Sequence, residues 1–166
     1  MYLKLFKLIK KILMIKVNVI VKNNAWKKYI KNPNLYLEKK VKILSKKIPL
    51  FKRGKFHLSL LLAGNSEIHK LNKKFKRKDK STDILSFPFY KNFLLKEIIK
   101  KGNKDIYLGD IIINLSKVRK EKFLFKEEFN KLWIHGLLHL LGYKHTKNKD
   151  YATMLKLENK FLKEIQ

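Results

Sequence analysis

The sequence predicts one α+β domain, in which four short strands are interspersed with amphipathic helices. Three observations predict it. The chain has 166 residues, an ordinary length for one domain, with no internal repeat or linker. Hydrophobic residues make up 45% of it and aromatics 12%, enough to supply a core and too many for a disordered chain. Four apolar or β-branched runs are separated by segments whose apolar residues recur at helical spacing.

Residues 1–14, MYLKLFKLIKKILM, interleave lysines with apolar residues. Leu5, Leu8, Ile9, Ile12 and Leu13 share one helical face, with Lys4, Lys7 and Lys11 on another. This reads as a basic amphipathic leader or as an extension ahead of a true start at Met14. Its lysines break the apolar run that a signal peptide needs, and it is too short and charged to span a bilayer. No stable membrane insertion is expected.

Ile15–Val21 nearly alternates and is β-branched, which predicts a strand. Pro33 is expected in a turn. A helix is expected over Leu35–Lys47, carrying Leu37, Val41 and Leu44. Phe56–Ala63 reads as the second strand, broken by Gly64-Asn65-Ser66. Asn65 or Ser66 is then expected to cap a helix with Ile68, Leu71 and Phe75 on its apolar face. Residues 76–82 form a basic loop. Ile84–Phe87 reads as the third strand, ended by Pro88. Residues 89–104 look like an irregular basic insertion. Ile106–Leu115 reads as the fourth strand, interrupted at Gly109-Asp110, with Ser116 a candidate helix cap. Helices are expected over about 126–141, stopped by Gly142, and about 150–164.

The chain carries 41 Lys+Arg against 13 Asp+Glu, a formal net charge of +28. An anionic partner, nucleic acid or membrane surface, is the usual implication. Only Arg53, Arg77 and Arg119 are arginines, so backbone attraction is favoured over base reading. The abundance of Lys, Ile, Asn and Phe also fits the codon bias of an AT-rich genome, so charge alone is weak evidence. The chain has no cysteine, which excludes disulfides, thiolate metal sites and a cysteine nucleophile. That composition fits a reducing compartment.

The informative segment is HGLLHLLGYKH, residues 135–145. His135 and His139 lie about one helical turn apart on one face, so their imidazoles can converge. Gly142 can stop the helix in the left-handed conformation, letting His145 turn back to the same point. Three histidines leave a fourth tetrahedral position open, the pattern of a catalytic zinc that lowers the pKa of its water to about 7. His57 and His69 show no partner and are read as non-functional; Trp133 and the nearby leucines are read as core. The spacing also matches zinc peptidases, but these carry Glu after the first histidine, where this chain has Gly136. Phosphodiester cleavage needs instead cations against developing phosphate charge. The loop around Phe75–Thr82 is the densest source of them.

With these residues the sequence resembles the YbeY family of bacterial rRNA maturation factors and endoribonucleases. The resemblance rests on the metal motif at 135–145, similar to His-Gly-x-Leu-His-Leu-x-Gly-Tyr-Asp-His. It rests also on Lys78–Pro88, similar to K-D-x-P-T-D/N-V-L-S-F-P, and on Leu108–Ile113, similar to a Leu-Gly-Asp-Ile strand. The resemblance implies a compact α+β fold with a small mixed sheet over residues 15–166. It implies one Zn2+ per chain on His135, His139 and His145. It further implies single-strand-specific cleavage in 16S rRNA 3′-end maturation, ribosome biogenesis and quality control, in the cytoplasm. Implied partners are rRNA, ribosomal subunits, small-subunit ribosomal proteins and the GTPase Era. Three positions depart from the family pattern: Lys144 replaces Asp, Ser81 replaces Pro, and the family arginine falls on Lys76, with Arg77 one step later. Either cation could fill that role. The rival readings are a ribosome-assembly factor with a structural zinc and, behind it, a zinc peptidase.

Overall fold

Four strands form one mixed sheet in the computed structural model, which describes residues 15–102, 105–118, 121 and 124–166. The segment read as a leader, residues 1–14, and Arg119 lie outside these residues. The strands are β1 (Ile15–Val21), β2 (Lys55–Ala63), β3 (Ile84–Pro88) and β4 (Asp105–Asn114). Their order is β1-β2-β4-β3, parallel except for the antiparallel pair β3–β4. The described α-helices are α1 (Pro33–Lys47), α2 (Asn65–Lys76), α3 (Asn92–Lys100), α4 (Phe125–Leu140) and α5 (Asn148–Ile165). The expected α+β architecture is therefore present.

Alternation in β1 and β2 decides which side of the sheet is buried. Ile15, Val19, Phe56, Leu58, Leu60 and Leu62 point into the main core. Leu37, Val41 and Leu44 of α1, Phe129, Leu137 and Leu138 of α4, and Met154, Phe161 and Ile165 of α5 fill it from the helix side. Trp26 is fully buried among these, packed against Phe125 and Phe129, and its indole N–H donates to the Ala63 carbonyl at 2.9 Å. The opposite side is covered only in part. There Ala63, Ile68, Leu85 and Ile112 form a small second cluster under α2.

β4 is continuous, where the sequence suggested an interruption. His57 pairs with Tyr107 but Leu58 with Gly109, so Leu108 is an extra residue, a bulge. The bulge resets the alternation: Ile106 and Leu108 face the main core before it, Ile111 and Ile113 after it. Gly109 has φ of +128°, and a Cβ there would lie 2.1 Å from the Phe87 carbonyl oxygen. Only glycine permits both that conformation and that contact.

Five local expectations are corrected. Pro33 opens α1 as its first residue, with Asn32 accepting from the Leu35 amide at 3.0 Å. A proline at this position loses no hydrogen bond, because the first helical N–H groups are unpaired anyway. Asn65 and Ser66 lie inside α2, whose cap is Gly64 with no side-chain bond; Asn65 Oδ1 instead accepts from Asn114 at 3.0 Å. Phe75 is 55% exposed, packed edge-on against Phe87. The segment 89–104 contains α3, anchored by the buried Leu95. Ser116 sits within a single 3-10 turn, Leu115–Lys117, that Asn114 caps.

Candidate metal centre

α4 begins with Phe125 and carries Glu127 and Glu128 in its first turn, where carboxylates suit the positive end of the helix dipole. Its buried stripe holds it to the sheet, and its last turns carry His135 and His139. Gly136 is the contact that allows close approach: a Cβ there would meet Ile111 and Ile84 at 2.9–3.0 Å. That position therefore faces the sheet. A glutamate at 136 would have to enter the core and could not supply a peptidase base.

The helix stops in a Schellman motif. The Tyr143 amide donates to the Leu138 carbonyl and the Gly142 amide to the His139 carbonyl, with Gly142 at φ +90°. Asn92, at the start of α3, donates to the Gly142 carbonyl at 3.2 Å and braces the turn. The reversed chain brings His145 back beside the other two. Their ring centroids are 4.6–5.3 Å apart, and one ligand atom from each lies within 4.8 Å of the others. The three sequence-predicted histidines are thus assembled.

The rings are also oriented. His135 Nδ1 is 2.9 Å from Glu158 Oε2 of α5, and His139 Nδ1 is 2.9 Å from the Tyr143 carbonyl oxygen. A carbonyl or carboxylate oxygen can only accept, so both Nδ1 atoms carry the proton in the neutral rings. Both Nε2 atoms then present lone pairs to each other at 3.0 Å. Two lone pairs at that distance repel unless a cation lies between them, so the donor set fits a metal ion. Burial lowers the His139 pKa from its ordinary value; Tyr143 opposes this, while the charges of His135, His145 and Lys76 reinforce it. A lowered pKa favours the neutral, ligating form of His139.

Lys76, the last residue of α2, is among the charges acting on His139, and its ammonium lies 5.2 Å from the Phe87 ring centroid. Arg77 follows in the left-handed conformation, φ 56°, with its amide bonded to the Asn72 carbonyl. The buried Asn72 also donates to the Lys80 carbonyl at 2.7 Å, tying the basic loop to α2. His69 does have a partner, contrary to the sequence reading: Asp79 at 2.8 Å, which Lys73 also contacts at 2.7 Å. Those bonds hold the Asp79 carboxyl below its ordinary pKa. His57 packs against Tyr107 on the open side of the sheet.

Sequence reasoning missed Glu158 and Asn92. Glu158 had a signal. Met154, Glu158, Phe161 and Ile165 fall on one stripe of α5, and a carboxylate within a buried stripe requires a partner. Asn92 had none, because its role depends on where α3 lies against the Gly142 turn.

The comparisons with known proteins agree with this geometry. A family model described as Endoribonuclease YbeY matches residues 17–166. The chain belongs to the YbeY family. An Endoribonuclease YbeY from Pelagibacter ubique is 40% identical over 157 residues, covering 92% of this chain and 97% of its own. One from Vesicomyosocius okutanii is 35% identical, covering 89% and 95%. Among solved structures, the solution structure of TM1509 from Thermotoga maritima aligns with a TM-score of 0.55 at 26% identity, covering 91% of this chain and 88% of that one. YbeY is a family of metal-dependent nucleases, and the three histidines of this member could hold a metal ion.

Proposed function

We propose that this YbeY protein is a zinc-dependent, single-strand-specific endoribonuclease acting in 16S rRNA 3′-end maturation. The observation that carries the reading is the convergence of His135, His139 and His145, two of them with Nδ1 already committed. One Zn2+ per chain is the ion expected. When bound, it would supply Lewis-acid activation of water or of a phosphate oxygen. Glu158 fixes the His135 ring, the Tyr143 carbonyl fixes His139, and Lys76 offers positive charge to the phosphate. Lys76 is favoured over Arg77 for this role because it is among the charges that lower the His139 pKa. Lysines elsewhere attract the RNA backbone.

Ribosome biogenesis and quality control, a cytoplasmic location, and association with ribosomal subunits, small-subunit proteins and Era belong to the same reading. Among the described residues no helix is long and apolar enough to cross a membrane. A structural zinc would need a fourth protein ligand, and the described cluster has three members. The peptidase reading lacks its base, since position 136 faces the sheet and Glu158 is bonded to the far nitrogen of His135.

The test is a His135→Ala/His139→Ala variant, assayed for bound zinc and for cleavage of a 16S rRNA precursor. Both should be lost; full cleavage by the metal-free variant refutes the mechanism. Lys76→Gln should reduce cleavage with zinc content unchanged, and Arg77→Gln should reduce it less.

A further inference from the structure

The side of the sheet away from α4 and α5 is covered by α2 only toward the C-terminal ends of β2 and β4. At their other ends a cavity of about 650 Å³ opens over the sheet, with Lys16, Lys55, His57, Ser59 and Tyr107 among its lining. The register lines these up in rows: Lys16 beside His57 beside Tyr107, and Asn18 beside Ser59 beside Asp110. The Tyr107 hydroxyl donates to Asp110 at 2.5 Å and lies 3.1 Å from Ser59 Oγ, so the phenol ring is fixed in place. Phe89 packs edge-on against Tyr107 at 5.5 Å, and His57 packs on its other side at 5.4 Å. Phe89 is 63% exposed. Its ring extends the aromatic row beside Tyr107.

We propose that this open face binds unpaired bases of an RNA strand, with Phe89, Tyr107 and His57 as stacking surfaces and Lys16 and Lys55 as counter-charges to its phosphates. Ring faces accept any base, and lysines track a backbone without reading sequence, which is the chemistry of single-strand binding. Asp110 accepts from Tyr107 and Asp105 is the cross-strand partner of Lys55, so the β1 edge with Lys16 is the side most open to phosphates. The strip runs on toward β3 and the end of α2. Phe87 pairs with Asp110 across β3–β4 and carries the Lys76 ammonium over its ring. A duplex cannot use the strip, because its bases are stacked on one another.

This inference rests on the reading of the protein as an RNA-cleaving enzyme, and binding separates it from cleavage. The full-length protein in EDTA is titrated against a fluorescein-labelled single-stranded RNA of about twelve nucleotides and against the same strand in a duplex. The single strand should bind tighter. Phe89→Ala and Tyr107→Ala should each weaken single-strand binding about five- to a hundredfold, while Tyr107→Phe, which keeps the ring, should bind like the parent. Lys16→Gln/Lys55→Gln should flatten the salt dependence by about 0.7 per lost phosphate contact. Melting temperatures of the variants identify any that fail to fold; Phe89 is exposed enough that its removal should leave melting unchanged. Parental affinity in a Phe89→Ala/Tyr107→Ala double variant, or equal affinity for duplex and single strand, overturns the proposal. The His135→Ala/His139→Ala variant should keep parental RNA binding. If it also cleaves, the metal reading fails while the stacking face stands.

Discussion

The two sides of the sheet are built from the same strands and do different work. One side is sealed: β1, β2 and β4 send Val19, Leu60 and Ile111 into a core shared with α1, α4 and α5, all nearly inaccessible. The other side holds a cluster of four buried residues under α2, then opens onto His57, Ser59 and Tyr107. The sealed side supplies rigidity, and His135 and His139 hang from one of its helices. The open side is free to carry contact residues, because few of them are needed for folding. The comparison shows how a domain of this size can be both well packed and strongly charged: the charge sits where packing makes no demand.

The largest effect should come from forcing a charge into the sealed side. Gly136→Glu would restore the residue of a zinc peptidase, but its side chain would meet Ile111 and Ile84. Overpacking and a buried carboxylate should together cost about 4 kcal/mol or more. The expected outcome in urea unfolding is collapse of stability with no peptidase activity; a stable, peptide-cleaving variant would break the comparison.

Neighbouring residues of β2 then sharpen it. Leu60 is fully buried on the sealed side and Leu61 is partly buried on the other. Leu60→Ala should lose about 2–5 kcal/mol and Leu61→Ala about 1–2 kcal/mol by the same measurement. Equal losses would mean that the α2 side is as tightly packed as the core.

A smaller effect is expected at Glu158, where the sealed side meets the metal centre. Glu158→Gln keeps the shape but not the charge that holds the His135 Nδ1 proton. Zinc affinity by competition titration should fall about 10- to 100-fold, with little change in melting temperature. Unchanged affinity would remove Glu158 from the site.

The smallest effect belongs to Asp79, fully exposed between His69 and Lys73. Asp79→Asn should barely move the melting temperature, since exposed ion pairs contribute little. The sign of its pH dependence is fixed. A carboxyl held below 3.8 stabilises the folded protein above that pH and loses the effect as pH falls through its lowered value.

Much of this was legible before the fold. The strand at Ile15–Val21, the helix ended by Gly142 and the three-histidine motif depend on local periodicity and on residue types with narrow conformational preferences. The irregular reading of 89–104 failed because α3 has one fully buried residue, Leu95, and its helical signal is weak without the core it docks on. The β4 interruption was a bulge, which changes the phase of alternation without ending the strand.

The sequence by itself determined that the chain has one α+β domain, that His135, His139 and His145 could meet, and that the surroundings are basic. These follow from spacing along the chain, which backbone geometry converts directly into position. Only the tertiary structure decided that Glu158 grips His135, that position 136 faces the sheet, that the Lys76 ammonium lies over the Phe87 ring, and that Phe89, Tyr107 and His57 share one open face. Each of these joins residues from separate elements, and their distances are set by how helices and strands pack, which no local pattern encodes.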